Sequence, residues 1–226
     1  MKYVMGIITL MVLACANEKT IQLPKIEHSE TTEIHDISAA YLFYDETQKD
    51  SVEFNRKNLI GTTNWLVNVD KRLTLKQAIP HIKYLQDKRR NSQMHKNENA
   101  KNYFTCNDIS RNNLGFIEFT EVKYKTPDEE TINSEEDSDS ILFATEIDFD
   151  SKESINIHQS DGNHATMNWK DLLKNYNNFD FELNKDSIYI SFDKNLPFQD
   201  YITFKSFLKT VEEKGNLISK EELISN

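Results

Sequence analysis

The sequence predicts an α+β fold made of two related strand–helix–strand–helix units, arranged as internal duplication would leave them. Three observations predict it. Short apolar runs of strand length alternate with two long stretches whose apolar residues recur at helical spacing. The segments "VDKRLTLKQAI" (69–79) and "FDKNLPFQDYI" (192–202) share Asp70 with Asp193, Lys71 with Lys194, Leu73 with Leu196 and Ile79 with Ile202. Five Gly and four Pro in 226 residues argue against collagenous, linker-like or turn-dense β architectures.

The elements follow in order. "AAYLFY" (39–44) is a compact aliphatic and aromatic run closed by "DETQKD", a strand and its turn. "SVEFNRKNLI" (51–60) carries Val52, Phe54, Leu59 and Ile60 as its apolar positions, and "NWLVNV" (64–69) is the next strand. Thr74 followed by Gln77 is a capping box opening a helix, with Leu75, Ala78, Ile79, Ile82 and Leu85 on one face. Pro80 removes one backbone bond there, so the helix should bend or start after Leu75. "GFIEFTEVKY" (115–124) is strand-like, "TPDEETINSEEDSDS" (126–140) is an acidic loop, and "ILFATEIDF" (141–149) and "SINIH" (154–158) are strands. "MNWKDLL" (167–173) is helical and "NFDFEL" (178–183) a strand candidate. "SIYISF" (187–192) then enters a second long helix bearing Phe198, Tyr201, Ile202, Leu208 and Val211, which Gly215 closes. Ser219 with Glu222 offers a capping box for a short final helix.

The repeat extends backwards. "NRKNLI" (55–60) lies over "NWKDLL" (168–173), sharing Asn55 with Asn168 and Lys57 with Lys170. The spacing is 113 residues there and 123 at Asp70 and Asp193, and ten extra residues around "NYNNFDFELN" account for the change. A period above 100 residues means two domains or half-domains rather than a solenoid. An Asp closing a strand just before a helix orders that turn or caps the helix, so Asp70 and Asp193 are read as structural.

The N-terminus carries the clearest targeting signal. "MKYVMGIITLMVLACANE" has Lys2, then an uncharged apolar run from Tyr3 to Ala14. This is signal-peptide length and falls short of the ~20 apolar residues of a membrane span. "VLAC" resembles the lipobox of bacterial lipoproteins, with Val12, Leu13 and Ala14 before Cys15. The resemblance implies cleavage after residue 14 and lipidation of Cys15 by a diacylglyceryl thioether plus an N-acyl chain such as palmitate. Three acyl chains exceed what stable anchoring requires. Ala16, in place of an Asp, points towards the outer rather than the inner membrane, facing the periplasm or the surface. Residues 15–37 read as the lipidated cysteine and a flexible tether, charged and without sustained periodicity, so His28 and His35 within it are not expected to hold a metal. With Cys15 acylated, Cys106 in "YFTC" is left single, and its apolar flank predicts burial. The chain thus divides into a signal peptide (1–14), the tether (15–37), a first unit (38–125), the acidic loop (126–140) and a second unit (141–226).

A formal net charge of −10 excludes a nucleic-acid partner, whose phosphates need a basic face, and makes electrostatic attraction a poor primary anchor to anionic lipid. "YISFDKNLPFQDYITFKSFLKTVEEKG" (189–215), a strand ending in Asp, then an apolar or Pro residue, an aromatic and a helix, is similar to the periplasmic domain of ExbD/TolR proteins. "MNWKDLL" resembles that family's preceding helix. The likeness spans roughly residues 150–215 and, more faintly, 40–90. It implies an envelope location and a place beside an envelope assembly. The chain departs from the family in its N-terminal run, which is short, uncharged and ends at the lipobox; the family's transmembrane helix bears an acidic residue for proton coupling.

No catalytic motif is legible. Five scattered glycines provide no phosphate-binding loop, and no Gly-x-Ser-x-Gly elbow exists. "IHQSDGNH" places His158 and His164 on either side of an Asp161-Gly162 hairpin turn, the best metal-like constellation, with exposed histidines as the alternative reading. In "DFDSKESINIHQ", Asp148 and Asp150 fit the first two EF-hand positions, but Lys152 and Glu153 break the pattern. The expectation is a lipid-anchored envelope protein acting as a binding or structural module, without a cofactor. Its partners would be the membrane and envelope proteins or peptidoglycan. An envelope hydrolase or metal-dependent enzyme using His158, Asp161 and His164 is the alternative.

Overall fold

A computed structural model describes residues 19–91, 97–126, 145–159, 162–176 and 188–225. Within them the chain is α+β, with three α-helices and twelve strands in two mixed sheets. The acidic segment from residue 127, the strand candidate at 178–183, Cys15 and Asp161 lie outside the described residues.

The first sheet is built around β2 (Ile37–Tyr44), β4 (Asn64–Val69) and β5 (Asn102–Asp108), which run parallel. Antiparallel strands flank them, β3 (Val52–Asn55) beside β2 and β6 (Asn113–Glu118) beside β5. The two-residue β1 (Lys25–Ile26) pairs with the end of β5. The second sheet has the order β10-β9-β8-β11-β12-β7. Its strands are β7 (Lys123–Lys125), β8 (Glu146–Phe149), β9 (Ile155–His158), β10 (His164–Met167), β11 (Ile188–Asp193) and β12 (Ile218–Ser225). There β8, β11 and β12 are parallel and β9 is antiparallel to β8, so β9-β8-β11-β12 matches β3-β2-β4-β5 in order and in sense. Helix α1 (Leu75–Arg90) follows β4 as helix α3 (Phe198–Glu213) follows β11, and each has 16 residues. The short helix α2 (Trp169–Asn175) precedes β11.

Local chemistry explains these elements. Gln77 Oε1 accepts the Thr74 N–H at 2.8 Å, the capping box read from the sequence. The apolar stripe of α1 (Leu75, Ala78, Ile79, Ile82, Leu85) is buried, as are Phe198, Tyr201, Ile202, Phe204, Leu208 and Val211 of α3. Both stripes join one continuous core with the inner faces of both sheets. Phe104 of β5 stacks on Phe119 (centroids 3.9 Å) and meets Phe198 of α3 edge-on at 5.2 Å, joining the two halves. A smaller cluster of Leu66, Tyr103 and Phe116 covers the other face of the first sheet.

Several expectations are corrected. Residues 218–225 form β12 rather than a capped helix, because pairing with both β11 and β7 satisfies a backbone that a helix would satisfy internally. Residues 55–60 contain no counterpart of α2; Asn55 Oδ1 accepts the Lys57 N–H in a turn, whereas Asn168 Oδ1 caps α2 through Asp171 N–H at 3.0 Å. The run 115–124 is two strands separated by the buried Phe119. Despite Pro80, α1 begins at Leu75; Pro80 is exposed, so solvent can meet the freed carbonyl.

The segment expected as a tether is, from Lys19 onwards, laid along the body. Lys71 N–H donates to Gln22 O at 2.8 Å, Asn107 N–H to Pro24 O at 2.8 Å and Ile109 N–H to Ile26 O at 2.9 Å. Ser29 N–H donates to Asp108 Oδ2 at 2.9 Å, and Gln199 of α3 clasps Lys25 by bonds in both directions. Mostly backbone and polar groups do the holding, so no apolar periodicity announces it.

Candidate functional site

The repeated Asp-Lys segments form equivalent junctions. Asp70 follows β4 and Asp193 ends β11. Asp70 Oδ1 accepts Arg72 N–H at 3.1 Å, and Asp193 Oδ1 accepts Asn195 N–H at 2.6 Å. Leu73 N–H donates to Asp70 O and Leu196 N–H to Asp193 O, at 3.1 and 3.0 Å. The two segments also pair with each other antiparallel around a Thr74–Pro197 bridge. Leu75 N–H donates to Leu196 O and Phe198 N–H to Leu73 O; Lys76 N–H donates to Lys194 O and Gln199 N–H to Lys71 O. Moving every residue number by 123 exchanges the members of each pair, the pattern of an isologous contact.

The junctions differ in burial. Asp70 is fully buried and accepts Nε and Nη2 of Arg72 at 2.9 and 2.8 Å and Gln22 N–H at 3.1 Å. Burial pushes its carboxyl up, but the Arg72 and backbone donors outweigh burial and hold it below the ordinary value. Asp193 is half-buried, and its neighbour Lys194 N–H donates to Ser225 O of β12, where Lys71 N–H meets Gln22. Both aspartates therefore serve as turn residues, and Gln22 O accepts from the first junction as Ser225 O of β12 accepts from the second.

A cleft of about 400 Å³ lies between Ser29–Thr31, β6 and α3, with Phe116, Ile117, Leu208 and Ile218 as its apolar lining. Its rim carries Lys205 and Lys209. Lys209 pairs with Glu30 at 2.5 Å, and Lys205 with Glu222 of β12. Glu222 is buried, and its other oxygen accepts Tyr201 O–H at 2.8 Å. With that proton committed, Tyr124 O–H donates to the Tyr201 oxygen at 3.0 Å. Burial pushes both phenols well up, so the chain Tyr124–Tyr201–Glu222–Lys205 is a fixed network of donors and acceptors reaching from the core to the cleft. Sequence reasoning missed it. Residues 218–225 read as a capped helix in the sequence, and the buried Glu222 follows the exposed Lys220 and Glu221, so nothing local marks it as an inward residue of a strand.

The histidine constellation assembles in part. His158 and His164 are cross-strand partners on β9 and β10, with parallel rings 6.1 Å apart, and Glu146 continues the row on β8. His158 Nε2 lies 3.4 Å from Asp148. Among the described residues no three His, Cys, Asp or Glu side chains converge in metal-holding geometry. Asp150 is engaged within the EF-hand-like stretch by Ser154 and Asn156, and Lys152 pairs with Asp200 of α3 at 2.6 Å. His28 meets Ser110 and Arg111, and His35 is exposed. Cys106 is buried in β5, where desolvation pushes its thiol far up and away from reactivity.

At the far end of α1, Arg89 is buried over the Trp65 ring at 3.9 Å and donates to Asn102 Oδ1 and Thr63 O. Desolvation lowers its pKa to about 10. No helix among the described residues is long and apolar enough to cross a membrane. Compared with protein-family models, with characterised proteins and with solved structures, the chain has no match in any of the three.

Proposed function

We propose that the chain is a lipid-anchored cell-envelope protein, acylated at Cys15, whose two related units form a binding module. The observation that carries the binding reading is the cleft beside α3. It has the volume and mixed lining of a ligand or peptide site, and its Lys205 is positioned by the buried Glu222, which Tyr201 holds from behind. The reciprocal bonds around Thr74 and Pro197, together with the common strand order, support descent of the two units from one. Envelope proteins or peptidoglycan are the partners that suit this location. The likeness of residues 150–215 to ExbD/TolR periplasmic domains supports an accessory place in such an assembly. The anchor rests on the "VLAC" stretch, with the outer membrane as its site.

Two measurements test the reading. Cys15→Ala should abolish acyl labelling and release the protein from membranes or leave it unprocessed; normal processing with membrane retention would refute the anchor. Ser206→Trp fills the cleft from the α3 wall. Partners that co-purify with the wild-type lipidated protein from its own membranes should be lost from this variant while its circular dichroism is unchanged. Equal recovery of partners would exclude the cleft as the binding site.

A further inference from the structure

We infer that the anchor is a short leash that holds the body against the membrane by one defined face, the β2–β3 turn and the junction after β4, so that lipid headgroups are the surface this face meets. The inference rests on acylation of Cys15. It is carried by where the folded chain begins. Lys19 is already docked, its ammonium 2.7 Å from Asp45 and also paired with Glu53 on β3. Gln22 is pinned at both its N–H and C=O, to Asp70 and Lys71. Only residues 16–18 separate the cysteine from Lys19. Four Cα steps span at most ~14 Å, and the seven to Gln22 at most ~25 Å. A free tether from Cys15 to Asp36 would have allowed several times that reach and any orientation. Docking from Lys19 onwards removes that freedom.

The charge of this face agrees. Lys19 offsets one of Asp45 and Glu53, Arg72 offsets Asp70, and Lys49, Lys71 and Lys76 stand against Glu46 and Asp50, leaving the face formally neutral. The net charge of −10 therefore resides elsewhere on the chain. An anionic bilayer repels the rest of the surface and tolerates this part of it. Lys71 and Lys76 form no ion pair among the described residues, so they are free to meet phosphate groups. The far end of α1, twelve residues from Lys76, lies ~18 Å further along the helix axis. A partner is thus met within about the body's own height above the membrane, with no long reach into the space beyond.

The test uses the full lipidated chain reconstituted in vesicles that carry a headgroup-attached paramagnetic quencher. Cys106 is buried and Cys15 is blocked by lipid, so a fluorophore reacts at one introduced cysteine, Gln48→Cys on the β2–β3 turn or Lys88→Cys on α1. Quenching at position 48 should exceed that at 88 by several-fold. Inserting twenty Gly-Ser residues between Glu18 and Lys19 should abolish the difference while the protein stays in the vesicle fraction. Equal quenching at the two positions in the acylated protein, or a difference untouched by the insertion, overturns the leash. Absence of an acyl chain by mass spectrometry would instead overturn the anchor on which it rests, so the two failures are distinguishable.

Discussion

Asp70→Ala and Asp193→Ala should have unequal costs although the two aspartates occupy equivalent junctions. Asp70 is fully buried and accepts two backbone N–H groups, those of Gln22 and Arg72, besides the Arg72 guanidinium. The Arg72 side chain is 41% exposed, so water recovers most of that half of the pair and it adds only ~0–1 kcal/mol. Each backbone bond to a buried carboxylate is worth ~1.5 kcal/mol or more, and alanine leaves both donors without a partner. The expected loss is about 3 kcal/mol. Asp193 is half-buried and accepts one backbone N–H, from Asn195, which solvent can reach, so about 1 kcal/mol is expected. Urea unfolding of the Cys15→Ala chain, followed by the fluorescence of Trp65 and Trp169, measures both. Equal losses within ~0.5 kcal/mol, or a greater loss for Asp193, would refute the argument that docking of residues 19–26 makes the first junction the stronger.

Leu73→Ala and Leu196→Ala should each destabilise by ~2–5 kcal/mol in the same assay, since both leucines are buried at matched positions in one core; a loss under 1 kcal/mol at either would contradict its burial. Tyr201→Phe removes the donor to Glu222 and the acceptor for Tyr124, and should cost ~1–3 kcal/mol with little change of shape, checked by thermal unfolding. On acidification, Asp70, Asp108 and Asp45 act together: each is held below its ordinary value in the fold, Asp45 at about 2 by Lys19 and Thr47. Their contribution is fully present above the unfolded carboxylate pKa near 4 and is lost as pH falls through the lowered folded values. Stability should therefore decline between about pH 4 and pH 2, and Asp70→Asn should flatten that decline; an unchanged acid slope would count against the assignment.

Much of the backbone was legible because local chemistry and periodicity agreed. Thr74 and Gln77 announced α1, "NWLVNV" announced β4, and the shared Asp-Lys-x-Leu pattern placed both strand-to-helix junctions. Those features depend on neighbours within a few residues, which a sequence displays directly. The capping box suggested at Ser219 was just as local, yet residues 218–225 became a strand because β11 and β7 offered ladders on both sides. Asn55 and Asn168 show the same limit, since equal residues end in a turn in one unit and cap a helix in the other. The candidate site lay beyond reach for a related reason. Lys205, Glu222, Tyr201 and Tyr124 come from α3, β12 and β7, and only parallel pairing brings those carboxylate and hydroxyl groups together. What the sequence determined by itself was the class of the fold, its two helices and the chemistry of its turns. The docking of residues 19–31, the bridge at Thr74 and Pro197 and the cleft beside α3 were decided by tertiary structure, because each is made of backbone and polar bonds between distant segments that leave no periodic trace.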